Sequence, residues 1–154
     1  GPGGRTQMQQ VQQFFTNTMI VAPAVAWIAA QLAKTLIDAA RHRRFNRRLL
    51  TGAGGMPSAH SAFVCCLAAT AGRTLGPDSA TFAIAFALAV VVMYDAAGVR
   101  RAVDKQSDIL SHVLNHIPRT PGDLDRILDE LVGHTRLQVL AGALLGILVA
   151  VILT

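Results

Sequence analysis

The chain has 154 residues, one domain's worth, of which 52% are hydrophobic and 15% charged, with a mean hydropathy of +0.43 and a net charge of +5. An ordinary soluble domain carries about 25% charged residues, so this balance points to a protein embedded in lipid, and the low aromatic content of 5% beside abundant alanine points to packing through small side chains. A soluble helical bundle with an alanine-rich core is the alternative.

Residues 1–13, opening Gly1-Pro2-Gly3-Gly4, read as a flexible tail, and residues 14–154 as a single domain. The first apolar helix is predicted over about 14–40, opened by Thr16 or Asn17, bent or started early by Pro23, and carrying Gln31, Lys34 and Asp38 in its last turns. A glycine-rich turn, Thr51 to Ser58, follows, and Ser58 is suited to cap a second helix over about 58–75. Cys65 and Cys66 within it point about 100° apart, which suits packing rather than a disulfide. Gly76-Pro77-Asp78-Ser79 is a tight connection with another cap, leading into a third helix over about 79–97 that is nearly free of polar groups until Asp95. A polar insertion, 98–135, separates it from the last helix, 136–153, whose polar side chain after Arg136 is Gln138. The expected fold is therefore all-α: an integral membrane bundle of about four transmembrane helices, up-down-up-down, with a polar connection inserted before the last. All four spans are short against the roughly 20 residues needed to cross the hydrocarbon core.

Charge sets the sidedness. Arg41, Arg43, Arg44, Arg47 and Arg48 lie between the first two helices, and Arg100, Arg101, Lys105, Arg119, Arg126 and Arg136 between the last two, whereas the opposite face offers Arg5 and Arg73. Both basic connections are expected to face the cytoplasm, or the stroma of a plastid, because the positive-inside rule mainly counts Lys and Arg. Attraction to anionic headgroups explains the arginine run without nucleic acid, since it lacks interleaved aromatics.

The same face gathers Lys34 and Asp38, the start of the second helix with His60, Asp95 with Arg100 and Arg101, and His134 just before the last helix. Helix-start N–H groups, forked guanidiniums and an ammonium together suit an oxyanion. Two histidines beside it suit phosphoryl transfer, one attacking phosphorus and one protonating the leaving oxygen. Each histidine taken alone reads as a satisfied polar side chain. His112 and His116, four apart with Asp108 one turn earlier, read as a solvated face rather than a metal site.

The run Pro57-Ser58-Ala59-His60 resembles the P-S-G-H motif of the type 2 phosphatidic acid phosphatase superfamily, which also contains vanadium-dependent haloperoxidases. The stretch Gly133-His134 through Gln138, Gly142 and Gly146 resembles its G-x-H-x-x-x-D-V-x-x-G block with one residue fewer after the glycine. Together with Met93-Tyr94-Asp95, Gly98 and Arg100-Arg101, the pattern from about Gln31 onward resembles the divergent membrane branch described as acid phosphatase or haloperoxidase-related. The resemblance implies His134 as nucleophile, His60 as general acid, and Lys34, Arg100, Arg101 and the Ser58 backbone as a phosphate cradle, with Asp95 and Gln138 supporting. It implies a phosphatase acting on a phosphorylated lipid or small phosphoester, needing no cofactor or metal, with phosphate or vanadate able to occupy the site. Membrane lipids and protein partners in a bacterial inner membrane or plastid membrane would be its surroundings.

Two departures stand out. The insertion puts 32 residues between Arg101 and His134 where the superfamily has five, and it carries an amphipathic stretch over Asp123 to Leu131. Gln138 stands where the superfamily has an acid four after the nucleophile, and glutamine supplies no negative charge to an imidazole. A binding or scaffold subunit that no longer hydrolyses phosphate is the alternative these departures leave open.

Overall fold

The computed structural model describes residues 7–43, 55–114 and 135–154, with the side chains of 42, 99–105 and 107–114 outside that description. Five helices follow in chain order: α1 (Gln7–Thr16), α2 (Thr18–His42), α3 (Ala59–Leu75), α4 (Ala80–Leu114) and α5 (Arg136–Leu153). The starts of α2, α3 and α4 each have a physical cause. Asn17 caps α2 by accepting the Met19 N–H at 3.0 Å, and its extended backbone separates α2 from α1. Ser58 caps α3 and Ser79 caps α4, where the Phe82 N–H reaches the Ser79 hydroxyl at 3.1 Å. Pro23 lies in the second turn of α2, where its ring leaves the Met19 carbonyl without the N–H donor that another residue would supply.

Two elements differ from the reading of the sequence. Gln7–Thr16, of which 7–13 read as the end of a tail and 14–16 as the start of the first apolar helix, is a helix of its own. The third helix does not stop at Ala97; it runs 35 residues to Leu114 and takes up the first part of the polar insertion. At 1.5 Å per residue that is about 52 Å, well beyond a hydrocarbon core of roughly 30 Å, so the charged end from Arg100 onward stands outside the lipid.

Three helical stretches among the described residues are long and apolar enough to span a membrane: Thr18–Arg41, Ala80–Gly98 and Arg136–Leu153. The 17 residues of α3 form a shorter rod of about 25 Å, at the lower limit for a span. This helix is the hub, packing on α2, α4 and α5.

The packing follows four-residue steps of small side chains. On α2 the fully buried Ala22, Ala26 and Ala30 form one stripe, continued by Lys34. On α3 the stripe is Ser58, Ala62, Cys66 and Thr70, and on α5 it is Gly142, Gly146 and Ala150. Residues four apart lie on one helix face, so these stripes meet as flat surfaces in a core of Ala22, Ala26, Ala30, Ala59, Ala62, Cys66, Val149 and Ala150. A second cluster joins Val64, Ala68 and Ala71 of α3 to Ala85 and Ala89 of α4. Both thiols are free and buried, Cys65 with its sulfur 3.5 Å from that of Met93, as packing residues.

Helices α3 and α5 run parallel in register. A Cβ added at Gly142 would overlap the Ser58 carbonyl oxygen, one at Gly146 the Ala62 carbonyl oxygen, and at the far end Arg73 Nε donates to Thr154 Oγ1 at 2.9 Å. The large apolar side chains instead point outward: Ile84, Val91, Leu140, Leu144 and Ile152 are all exposed, as lipid-facing residues must be.

Candidate functional site

The C-terminal part of α2, the start of α3 and the start of α5 converge at one end of the bundle. Lys34 reaches this end as the last member of the alanine stripe, and it is 2% exposed. Its aliphatic stem passes beneath Gly55, where an added Cβ would lie 2.9 Å from Lys34 Cγ, and Gly55 has φ of +91°, which favours glycine. Glycine is therefore required twice over, by backbone conformation and by the space the lysine occupies.

The chain then passes through Met56 and Pro57, joined by a cis peptide, to Ser58, which is fully buried. The Ser58 N–H donates to the carbonyl oxygen of Gln138 at 3.0 Å, tying the cap of α3 to the first turn of α5. The Ser58 hydroxyl accepts from the Ser61 N–H at 3.4 Å and from the Ser61 hydroxyl at 3.2 Å. This alters one expectation. The Ser58 amide, read as part of a phosphate cradle, is already engaged in holding two helices together, so Ser58 shapes the site rather than offering that donor.

Gln138 is likewise engaged. Its side-chain oxygen accepts the Thr135 N–H at 2.9 Å while the Thr135 hydroxyl accepts the Gln138 N–H at 3.1 Å, a reciprocal capping box. Glutamine at this position thus has a local task at the helix start, which the T-x-x-Q spacing displays in the sequence.

His60 lies in the first turn of α3 and is exposed. It lines an apolar groove of about 420 Å³ with Trp27 and Ile28 of α2, Phe63 and Val64 of α3 and Val92 of α4. Asp95 is exposed on α4. Arg100 and Arg101 stand on α4, with their side chains outside the described residues, and His134 also lies outside them, immediately before the Thr135 cap. The stretch Asp123 to Leu131 and the His112 and His116 side chains fall outside them too. Arg136, counted in the sequence among the basic residues that set the sidedness, was not among the expected site residues. It lines a cleft of about 180 Å³ with Tyr94, Ala97 and Gly98, placing a cation between α4 and α5. Its position two residues after His134 was the available signal. Among the described residues, no group of three or more His, Cys, Asp and Glu side chains is arranged to hold a metal ion.

Three apolar spans and a short central helix define an integral membrane helical bundle. The model of the divergent PAP2 family matches residues 15–149, and the chain belongs to that family. It is also 33% identical, over 152 residues, to the uncharacterized membrane protein YuiD of Bacillus subtilis (strain 168), covering 92% of this chain and 96% of the relative. No solved structure matches.

Proposed function

We propose that the chain is a membrane-embedded phosphatase-like protein that hydrolyses a lipid phosphate, or another phosphomonoester or diphosphate, through His134. The carrying observation is the meeting of the two family blocks through the Ser58 N–H and the Gln138 carbonyl, on the same end of the bundle as the buried Lys34. In this reading Lys34, Arg100 and Arg101 neutralise the phosphoryl oxygens. An imidazole nitrogen of His134 attacks phosphorus, the bond to the leaving oxygen breaks, and His60 gives that oxygen a proton. Water then attacks the phosphohistidine, passing its proton to His60, and inorganic phosphate departs as the phosphorus–nitrogen bond breaks. No metal or cofactor enters this scheme. The count of arginines in the connections supports a site on the cytoplasmic face of a bacterial inner membrane, or the stromal face of a plastid membrane.

A second reading is favoured by the capping box. Because the Gln138 oxygen is engaged with Thr135 and carries no charge, the imidazole of His134 lacks the acid that family kinship implies, and the site would bind phosphate or a lipid headgroup as a subunit of a membrane assembly. Phosphate release from phosphatidic acid and from a polyprenyl diphosphate by purified protein separates the two. Hydrolysis predicts release abolished by His60→Ala and His134→Ala; equal release by wild type and both variants would overturn it, and saturable phosphate binding without release would establish the second reading.

A further inference from the structure

The ten residues of α1, QMQQVQQFFT, contain no charge, and none of them is buried. At 100° per residue, Phe14, Val11, Phe15 and Met8 fall on one arc of about 120°, interrupted only by Gln7 at the helix start, while Gln9, Gln12, Gln13 and Thr16 fall on the opposite side. Met8 is 83% exposed and Phe15 70% exposed. The main neighbour of α1 is α2, whose 25 residues extend about 37 Å and already exceed a hydrocarbon core of roughly 30 Å. An apolar arc continuing straight on from α2 would therefore stand in water.

We infer that α1 lies in the membrane plane, its Met8, Val11, Phe14 and Phe15 side chains seated in the boundary between phospholipid headgroups and acyl chains, on the side opposite the arginine-rich connections. The extended backbone at Asn17 provides the break that lets the chain leave the α2 axis. The lipid contact is continuous with that of α2 itself, whose Val21, Val25, Ile28 and Leu32 form an exposed stripe at steps of three and four residues. Lipid rather than protein is the fitting occupant because that stripe already faces the bilayer where α1 joins it. With only uncharged glutamine and threonine on the polar face, the attachment rests on apolar area rather than on attraction to anionic lipid, unlike the usual lysine-rich interfacial helix.

The test uses the full chain in vesicles of zwitterionic phosphatidylcholine. Trp27 is the single tryptophan, so a Trp27→Phe background carrying either Phe15→Trp or Gln9→Trp reports on each face of α1. The inference predicts that fluorescence from position 15 is quenched by lipids brominated near the glycerol end and severalfold less by aqueous acrylamide than that from position 9. It also predicts no change when phosphatidylglycerol replaces part of the phosphatidylcholine. Equal acrylamide quenching at the two positions, or shielding of position 15 from both quenchers, would overturn it. Should the Trp27→Phe background not fold, the unaltered chain is irradiated with a phospholipid bearing a photoactivatable group near its glycerol; adducts on Met8, Val11, Phe14 or Phe15 support the inference, and their absence from 7–16 contradicts it.

Discussion

The Ser58 N–H donates to the Gln138 carbonyl oxygen at 3.0 Å, so the cap of α3 is fastened to the first turn of the parallel helix α5 at the polar end of the bundle. One turn further along, Gly142 lies against the Ser58 carbonyl and Gly146 against that of Ala62. At this end the separation between α3 and α5 is thus set by two glycines and one hydrogen bond.

Gly142→Ala and Gly146→Ala should each force these backbones apart, because the neighbour met is a carbonyl that cannot rotate away. Overpacking of this kind costs about 1–3 kcal/mol. Gly98→Ala is the contrast, since its Cβ meets nothing within 4 Å, and alanine within a helix is favoured over glycine by roughly 0.5–1 kcal/mol. Unfolding in detergent mixtures should rank Gly98→Ala at or above wild type and the other two below it; equal stability of all four would refute the close approach.

At Gly55 an alanine would face both a φ of +91° and the Lys34 stem. Holding a non-glycine residue in a sparsely populated backbone region costs about 1–3 kcal/mol, and the lysine would have to shift. Gly55→Ala is expected to weaken phosphate binding although it removes no charge, and Lys34→Met to weaken it while keeping the stem packed. Unchanged phosphate affinity in Gly55→Ala would show that Gly55 does not position the lysine.

Gln138→Glu should leave stability near wild type, because glutamate fills the same capping-box position and a negative charge is favoured at a helix start. Gln138→Ala removes the acceptor for the Thr135 N–H and should cost about 0.5–2 kcal/mol, by analogy with losing a cap. Thermal unfolding of the two variants measures this directly; a glutamate variant as unstable as the alanine one would discount the capping role.

Much of this arrangement was legible in the sequence and some was not, for identifiable reasons. The caps at Asn17, Ser58 and Ser79 announce themselves because a short polar side chain before an apolar run has few other uses. Small residues four apart reveal packing faces, but which faces meet is a tertiary matter, so the pairing of Gly142 with Ser58 could not be read in advance. The same holds for the Ser58 amide: a helix start looks like an anion site until another helix takes its donor. Residues 7–13 look like a tail because glutamine carries neither charge nor hydrophobicity, although Met8 and Val11, with Phe15 beyond them, keep a helical period. The extension of α4 was hidden by its polar composition, which describes a solvated helix as well as a loop.

Sidedness has its own check. With Cys65 and Cys66 replaced by alanine, a cysteine at Arg43 should resist an impermeant maleimide applied from outside intact cells, and one at Asp78 should react. Labelling at Arg43 from outside would reverse the proposed topology.

The most direct measurement is equilibrium binding of orthovanadate, a phosphate mimic, to the purified chain. A shared anion site predicts saturable binding of one vanadate per chain, displaced by inorganic phosphate and lost in Lys34→Met and His134→Ala. Binding that is absent from wild type, or unchanged in both variants, would contradict the proposal that these elements meet around one anion.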